Sequence, residues 1–182
     1  MKSKKNFILL LVMVFAFALI SCDNGNGGGN DISETRAREI IEPFYDLFRS
    51  PVRNANPDLV WERGMDVLHD NWLSYDGNPP PYGTTVPRGK IETRGFLEGY
   101  MFVNIPDINV NIISVQVDGN WIFVRSQLTG TFIGPDYFGF PVGPYPFGII
   151  ALDYHRFDNN GKLVELYHSE HWAEAVMQSY TR

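Results

Sequence analysis

Apolar positions along this chain follow three successive patterns. From Phe7 to Ile20 they run without interruption. From Ala37 to Val103 they recur mostly at helical spacing, and from Ile108 onward they alternate with polar residues, the period of a half-buried strand. Ala37, Ile40, Ile41, Phe44, Leu47 and Phe48 form one stripe of a first helix. Asp31 stands where a cap is expected, with Glu34 three places on, and Pro43 inside the stripe predicts a kink or a restart. A second helix opens at Pro57-Asp58 and turns Val60, Trp61, Gly64, Val67 and Leu68 to one side. Asn71 to Tyr75 reads as a short strand, Asp76 to Lys90 as a proline- and glycine-rich loop, and Gly95 to Val103 as a third helix broken at Ile105-Pro106.

The alternating part predicts four strands. Ile108–Val117 and Trp121–Phe132 are joined by Asp118-Gly119, a strong hairpin signal. Phe147–Phe157 and Lys162–His171 flank the turn Asp158-Asn159-Asn160-Gly161, and a short helix follows from Glu174. The segment Ile133–Pro146 mixes glycine and proline with aromatics. It is too apolar for an ordinary solvated loop, which points to a lid carrying Tyr137 and Phe138. Helices first and an antiparallel sheet second make the class α+β.

Composition narrows the function classes. With 182 residues of which 44% are apolar, the chain has material for a packed core, and wholesale disorder is excluded. A formal net charge of −6 argues against nucleic acid as a partner, because no basic surface repays the phosphate charge. The single cysteine excludes an intrachain disulfide and a cysteine-based zinc cluster.

That cysteine, Cys22, stands directly after the first apolar block. Lys2, Lys4 and Lys5 supply a basic start, the 14 residues Phe7–Ile20 an apolar centre, and Ser21 a small residue before a cut, the order of an export signal. The block is short of the roughly 20 residues that a spanning helix needs. Leu19-Ile20-Ser21-Cys22 resembles the bacterial lipobox, which implies a cut before Cys22 and acylation of its thiol. The chain then divides into a signal peptide (1–21), a lipidated cysteine with a flexible glycine- and asparagine-rich tether (22–31) and one folded domain (32–182). Cutting there removes three of the 15 basic residues and none of the 21 acidic ones, taking the net charge from −6 to −9. An anionic leaflet repels such a domain, so the acyl chains must hold it, at about 0.8 kcal/mol per buried methylene. The expected address is the cell envelope, at the inner or the outer membrane.

Within the domain, Ile105-Pro106-Asp107, Asp118-Gly119-Asn120, Val124-Arg125, Gly130-Thr131-Phe132 and Gly134 follow in order. Gly139-Phe140-Pro141, Arg156-Phe157 and Gly161-Lys162-Leu163-Val164-Glu165 complete the series. The ordered set resembles the SnoaL-like polyketide cyclase and ester cyclase family of the nuclear transport factor 2-like superfamily, over roughly Ile32 to Gln178. The resemblance implies a cone-shaped α+β barrel, helices packed inside a curved antiparallel sheet around a deep pocket. It also implies acid–base chemistry without a metal or cofactor. Superfamily members often form homodimers through the outer sheet face.

Carried over by motif, the family's acid–base pair falls on Asp153 of the penultimate strand and His168 of the last, with the two residue types exchanged. Alternation places Ile149, Ala151, Asp153 and His155 on one face, and Val164, Leu166 and His168 on another. An Asp–His pair tunes an imidazole for proton transfer near neutral pH, which casts His168 as base and Asp153 as its orienting partner. The ligand-contacting candidates are Trp72, Tyr75, Arg125, Phe132, His155 and Leu166. Arg125 fits either an anionic ligand or an ion pair with an acid such as Glu165. His69 reads as a helix C-terminal residue. His168 and His171 are three apart, hence on opposite faces of a strand, so a shared metal is not expected. A Ser74–His168–Asp153 triad lacks any nucleophile-elbow sequence.

Two function classes remain. The first is an anchored binding module for a small, largely apolar molecule, supported by Phe132 where the family often has histidine. The second is a cofactor-independent acid–base enzyme using His168 and Asp153. The enzyme reading requires Asp153 and His168 to lie within hydrogen-bond reach of one another and open to a pocket; it fails if either points to solvent or if side chains fill the pocket.

Overall fold

The computed structural model describes residues 32–76, 87–134 and 144–180. The export signal, Cys22, Asp31, most of the Asp76–Lys90 loop and the expected lid with Tyr137 and Phe138 lie outside the described residues. No helix among the described residues is long and apolar enough to cross a membrane.

Helix α1 (Glu34–Asp46) starts at Ser33, whose hydroxyl accepts the Arg36 backbone N–H at 3.1 Å. Ser33 thus takes the capping place read onto Asp31, because its side chain is the one that reaches an orphan N–H of the first turn. Pro43 sits inside the helix three residues before its end without a restart, since the helix terminates within a turn of it. The apolar stripe turns inward as its spacing dictates: Ala37, Ile40, Ile41 and Phe44 are buried, and Tyr45 joins them.

A short helix α2 (Ser50–Ala55), absent from the sequence reading, begins with Pro51 in its first turn. Its Arg53 is buried, donating to Leu47 O at 2.8 Å and Pro106 O at 3.0 Å, with its guanidinium 3.9 Å from the centre of the Phe102 ring. Helix α3 (Pro57–Asp66) opens as expected, with the Asn56 side chain accepting from Leu59 N. It buries Val60, Trp61 and Gly64. Gly64 matters for space: a Cβ there would stand 2.8 Å from Leu47 Cγ, and Leu47 is fully buried. Gly64→Ala is therefore expected to cost about 1–3 kcal/mol through overpacking, read as a lower urea midpoint at unchanged slope.

Strand β1 (Leu68–Asp76) is longer than read and includes His69, which belongs to the strand because α3 has already ended. Helix α4 (Lys90–Phe96) passes through a π-helical turn (Leu97–Met101) into a last turn, α5 (Phe102–Asn104). Strands β2 (Asn109–Asp118) and β3 (Trp121–Phe132) form the expected hairpin. Its Gly119 has φ +57°, a left-handed conformation that glycine adopts without strain. Strands β4 (Tyr145–Phe157) and β5 (Leu163–Glu170) form the next antiparallel pair. Gly161 at φ +76° closes its turn, and Asp158 Oδ1 accepts the backbone N–H groups of Asn160 and Lys162.

The five strands make one sheet in the order β1-β5-β4-β3-β2. All neighbours are antiparallel except β1 and β5, which run parallel, a departure from the all-antiparallel expectation. A parallel neighbour needs a long crossover, and α4 to β4 lie between these two strands in sequence. The core joins α1 and α3 to the sheet's inner face through Ile41, Leu47, Trp72, Ile108, Ile122 and Leu163. Helix α6 (Trp172–Tyr180) closes on β4, where the Gln178 amide grips the backbone N–H and C=O of Gly148 at 3.0 and 2.9 Å. The architecture is the expected α+β cone.

Candidate active site

The sheet register builds the site. Asp153 on β4 is the cross-strand partner of His168 on β5, and His168 is in turn the partner of Asp76 on β1. Three titratable side chains thus lie in one row across three strands, pointing inward. Two residues along the strands the next row is His155, Leu166 and Ser74; two residues the other way it is Ser126, Ala151 and Glu170. Each residue falls on the inner face because strands alternate. β5 contains an irregularity: Leu163 and Leu166 are both buried, and the register shifts between Arg156 and Phe157. Leu163 therefore takes the inward place assigned to Val164.

These rows face a pocket of about 80 Å³, space for about three water molecules at roughly 30 Å³ each. Its walls are mostly apolar, with Phe44, Phe48, Phe96, Leu97, Met101 and Leu128 facing the titratable strip. Asp153, His168, Glu170, Tyr45 and Arg88 all line it.

His168 is held at both nitrogens. Nε2 donates to Asp76 Oδ1 at 2.5 Å and Nδ1 donates to Glu170 Oε1 at 2.8 Å. Burial alone would lower its pKa, but the hydrogen bonds and charges of Asp76 and Glu170 outweigh it and raise the imidazole to about 10. His168 is thus an imidazolium at neutral pH. Asp76 is lowered, first by its hydrogen bond to His168, and Arg88 holds its other oxygen at 2.9 Å. Arg88 is fixed in turn by backbone hydrogen bonds in both directions with Ser74 and by stacking over Phe96 at 4.5 Å.

Asp153 has the opposite environment. It is 8% exposed, and burial, seconded by the charge of Glu170, lifts its carboxyl to about 7, against the lowering effects of the Tyr45 hydrogen bond and His168. Tyr45 donates to Asp153 Oδ2 at 2.5 Å and lies 3.0 Å from His155 Nε2. The phenol is raised well above its ordinary value, chiefly by burial, so it stays protonated. His155 is fully buried, and burial pushes it down to about 3, helped by the charge of His168. A neutral imidazole, a phenol and a near-neutral carboxyl therefore form one hydrogen-bonded chain.

Several sequence expectations change. Asp153 and His168 share the pocket, but His168 is oriented by Asp76 and Glu170, not by Asp153, because both ring nitrogens are already engaged. Tyr75 faces the other side of the sheet, stacked on Tyr167 at 4.7 Å, one residue out of phase with Trp72 and Ser74. Arg125 is exposed on the same outer face and does not line the pocket, and Glu165 pairs with Arg156 instead. Phe132 is fully buried core and His155 lies behind Tyr45; neither lines the pocket. Trp72 and Leu166 do line it. His171 stands at the start of α6, 3.7 Å from Glu174. Among the described residues no cluster of three His, Cys, Asp or Glu side chains is placed to hold a metal ion.

Sequence reasoning missed Tyr45, Asp76, Arg88 and Glu170. Glu170 carried a usable signal, being two residues from His168 on a strand. Tyr45 also did, four residues after Ile41 on a helix.

Comparison with known proteins agrees with the fold. No curated protein sequence matches the chain. Among solved structures, a candidate SnoaL-like polyketide cyclase from Jannaschia is 20% identical, with a TM-score of 0.60 over 83% of this chain and 96% of its own. IdmH, a candidate polyketide cyclase from Streptomyces antibioticus, is 18% identical, with a TM-score of 0.60 over 77% and 95%. AclR, a candidate hydroxylase from Streptomyces galilaeus, is 12% identical, with a TM-score of 0.61 over 82% and 99%. At these identities the likeness is one of fold. The family model for the SnoaL-like polyketide cyclase matches residues 54–178, most of the folded domain and every strand of the cone. The chain belongs to the SnoaL-like polyketide cyclase family.

Proposed function

We propose that this domain is an acid–base enzyme that moves a proton on a small, largely apolar carbonyl compound, with Asp153 as the proton acceptor. The observation that carries this reading is geometric: the Asp153 carboxyl is buried in the wall of the pocket with Tyr45 on one oxygen, and burial lifts it toward neutrality, to about 7. A general base works best with a pKa near the operating pH, and a pocket that only bound an apolar molecule would gain nothing from a row of acids and an imidazolium. Tyr45 occupies Asp153 Oδ2, leaving Oδ1 to take a proton from the carbon beside the carbonyl. The C–H electron pair moves into the carbonyl to give an enolate. His168, with both N–H groups engaged, acts as a fixed positive charge favouring that enolate, a preorganised electrostatic contribution. Return of the proton to another atom of the enolate completes an isomerisation; in a ring closure the enolate carbon attacks a second carbonyl carbon of the same ligand, whose C=O pair moves onto its oxygen, and the proton returns to that alkoxide.

The test is deuterium uptake, by proton NMR in D2O, into a panel of enolisable ketones and β-keto esters. Uptake well above buffer with a rate inflection near pH 7 is expected for at least one member. Binding by members of the panel with exchange into none of them would replace this reading with the ligand-binding module.

The same proposal places the domain at the cell envelope through acylated Cys22. Support comes from the order of basic, apolar and small residues before the sole cysteine. Cys22→Ser is expected to abolish palmitate labelling and move the protein from the membrane to the soluble fraction; retention with the membrane would contradict the anchor. Dimerisation through the outer sheet face would rest on the aromatic strip of Tyr75, Tyr167 and Trp121, with Tyr154 beside Phe123.

A further inference from the structure

Three side chains that line the pocket carry buried polar atoms with no hydrogen-bond partner: Trp72 Nε1, Thr93 Oγ1 and Ser126 Oγ. They are 1%, 8% and 1% exposed. A buried orphan donor costs on the order of 1–3 kcal/mol, and native proteins hold few of them. Three around one pocket therefore call for a common cause. None belongs to the titratable chain just described. Trp72 is on β1 and Thr93 on α4, which packs against β1. Ser126 is on β3, one row beyond Val124, the cross-strand neighbour of Asp153.

Their chemistry restricts what they meet. An indole N–H only donates, so its partner must be an acceptor. A hydroxyl both donates and accepts, so Thr93 and Ser126 tolerate either. Charge restricts it again. Asp153 and Glu170 line the same pocket, and its two cations, His168 and Arg88, are already engaged by Asp76 and Glu170. An anionic acceptor would be repelled, and an ammonium group has no lone pair for the indole.

We infer that Trp72, with Thr93 of the helix packed against its strand, forms a second, specificity-determining subsite that receives an uncharged oxygen of the ligand, apart from the row where proton transfer occurs. The ligand is then an apolar body with a neutral acceptor, such as a ketone, ester or lactone oxygen, directed at the β1 wall. A hydrocarbon of the same shape leaves the indole unpaired and is rejected. This extends the acid–base reading to ligand class, but its test is binding and does not depend on turnover.

Three matched probes suffice: acetophenone, α-methylstyrene (a methylene in place of the carbonyl oxygen) and benzoate. Binding is followed by NMR titration with the indole N–H resonance of Trp72 as reporter. Acetophenone is expected to bind at least tenfold tighter than α-methylstyrene and to move the Trp72 N–H downfield, with benzoate the weakest. Trp72→Phe should reduce the preference to near unity while the variant remains folded by circular dichroism. Should that variant unfold, Thr93→Val provides the milder test and is expected to narrow the preference. Equal affinity for the ketone and the hydrocarbon overturns the subsite, as does a shift of Trp72 N–H that both produce alike, or failure of all three to bind at millimolar concentration. Preference without deuterium exchange would retain the subsite and sink the catalytic reading; exchange without preference would do the reverse.

Discussion

Asp153→Asn is expected to slow deuterium exchange by at least about a hundredfold, the lower range for loss of a positioned general base, while changing probe affinity little. Asparagine keeps the shape and still accepts the Tyr45 hydrogen bond, but it cannot take a proton. The same substitution should alter stability in a pH-dependent direction. The folded carboxyl titrates at about 7, above its ordinary value of 3.8, so the folded state holds more protons than the unfolded state between those values. Stability attributable to this group is therefore highest below about pH 4 and falls as pH rises to 7. The asparagine variant lacks that loss. It should melt higher than the parent at pH 8 and gain nothing at pH 4, a trade of stability for activity that active sites commonly show. Thermal melts at the two pH values check this, and a lower melting temperature at pH 8 would contradict it.

His168→Gln has the larger structural effect. The imidazolium satisfies Asp76 and Glu170 together, and its removal leaves two partly buried carboxylates without the cation they share. Breaking a buried ion pair from one side costs about 3–5 kcal/mol, and Arg88 remains to compensate Asp76 only. A destabilisation of about 3 kcal/mol by urea denaturation is expected, together with loss of exchange, since the fixed positive charge beside the enolate disappears. The pH dependence has the same sign as that of Asp153 but lies at higher pH. His168 titrates at about 10 when folded, above its ordinary 6.5. Its contribution is complete below about pH 6.5 and is lost as pH climbs toward 10. The stability gap between parent and variant should accordingly narrow between pH 7 and 10; a constant gap would show that the clamp is not ionic.

The fold was legible in the sequence wherever a local period or turn residue dictated it. Gly119 and Gly161 announced both hairpins, and the two-residue alternation from Ile149 to His155 correctly set the inner face of β4. What escaped was non-local. Nothing in Leu68–Asp76 says that it lies parallel beside β5, yet that pairing alone brings Asp76 to His168. Arg88 was unreadable for the same reason, since its backbone bonds to Ser74 cross the Asp76–Lys90 loop. Ser33 displaced Asp31 as cap because short side chains compete for the same orphan N–H groups, and their order is decided by where the helix begins. The pairing of Asp153 with His168 was half right. Register makes them neighbours, but two carboxylates from other positions reach the imidazole first and leave Asp153 to Tyr45. The exchange of residue types relative to the family pattern thus accompanies a change of roles: here the carboxyl is poised to titrate and the histidine is locked in charge.

That reassignment rests on the partners of the two side chains, Asp76 and Glu170 on His168 and Tyr45 on Asp153, and it predicts how Asp153 ionises in the folded pocket. A carbon-13 NMR titration of the Asp153 carboxyl, assigned against the Asp153→Asn variant, measures it directly. A midpoint near 7 is predicted, with His168 remaining protonated throughout the transition. A midpoint near 4 would contradict the account, because the carboxylate would then be too weak a base to serve at neutral pH.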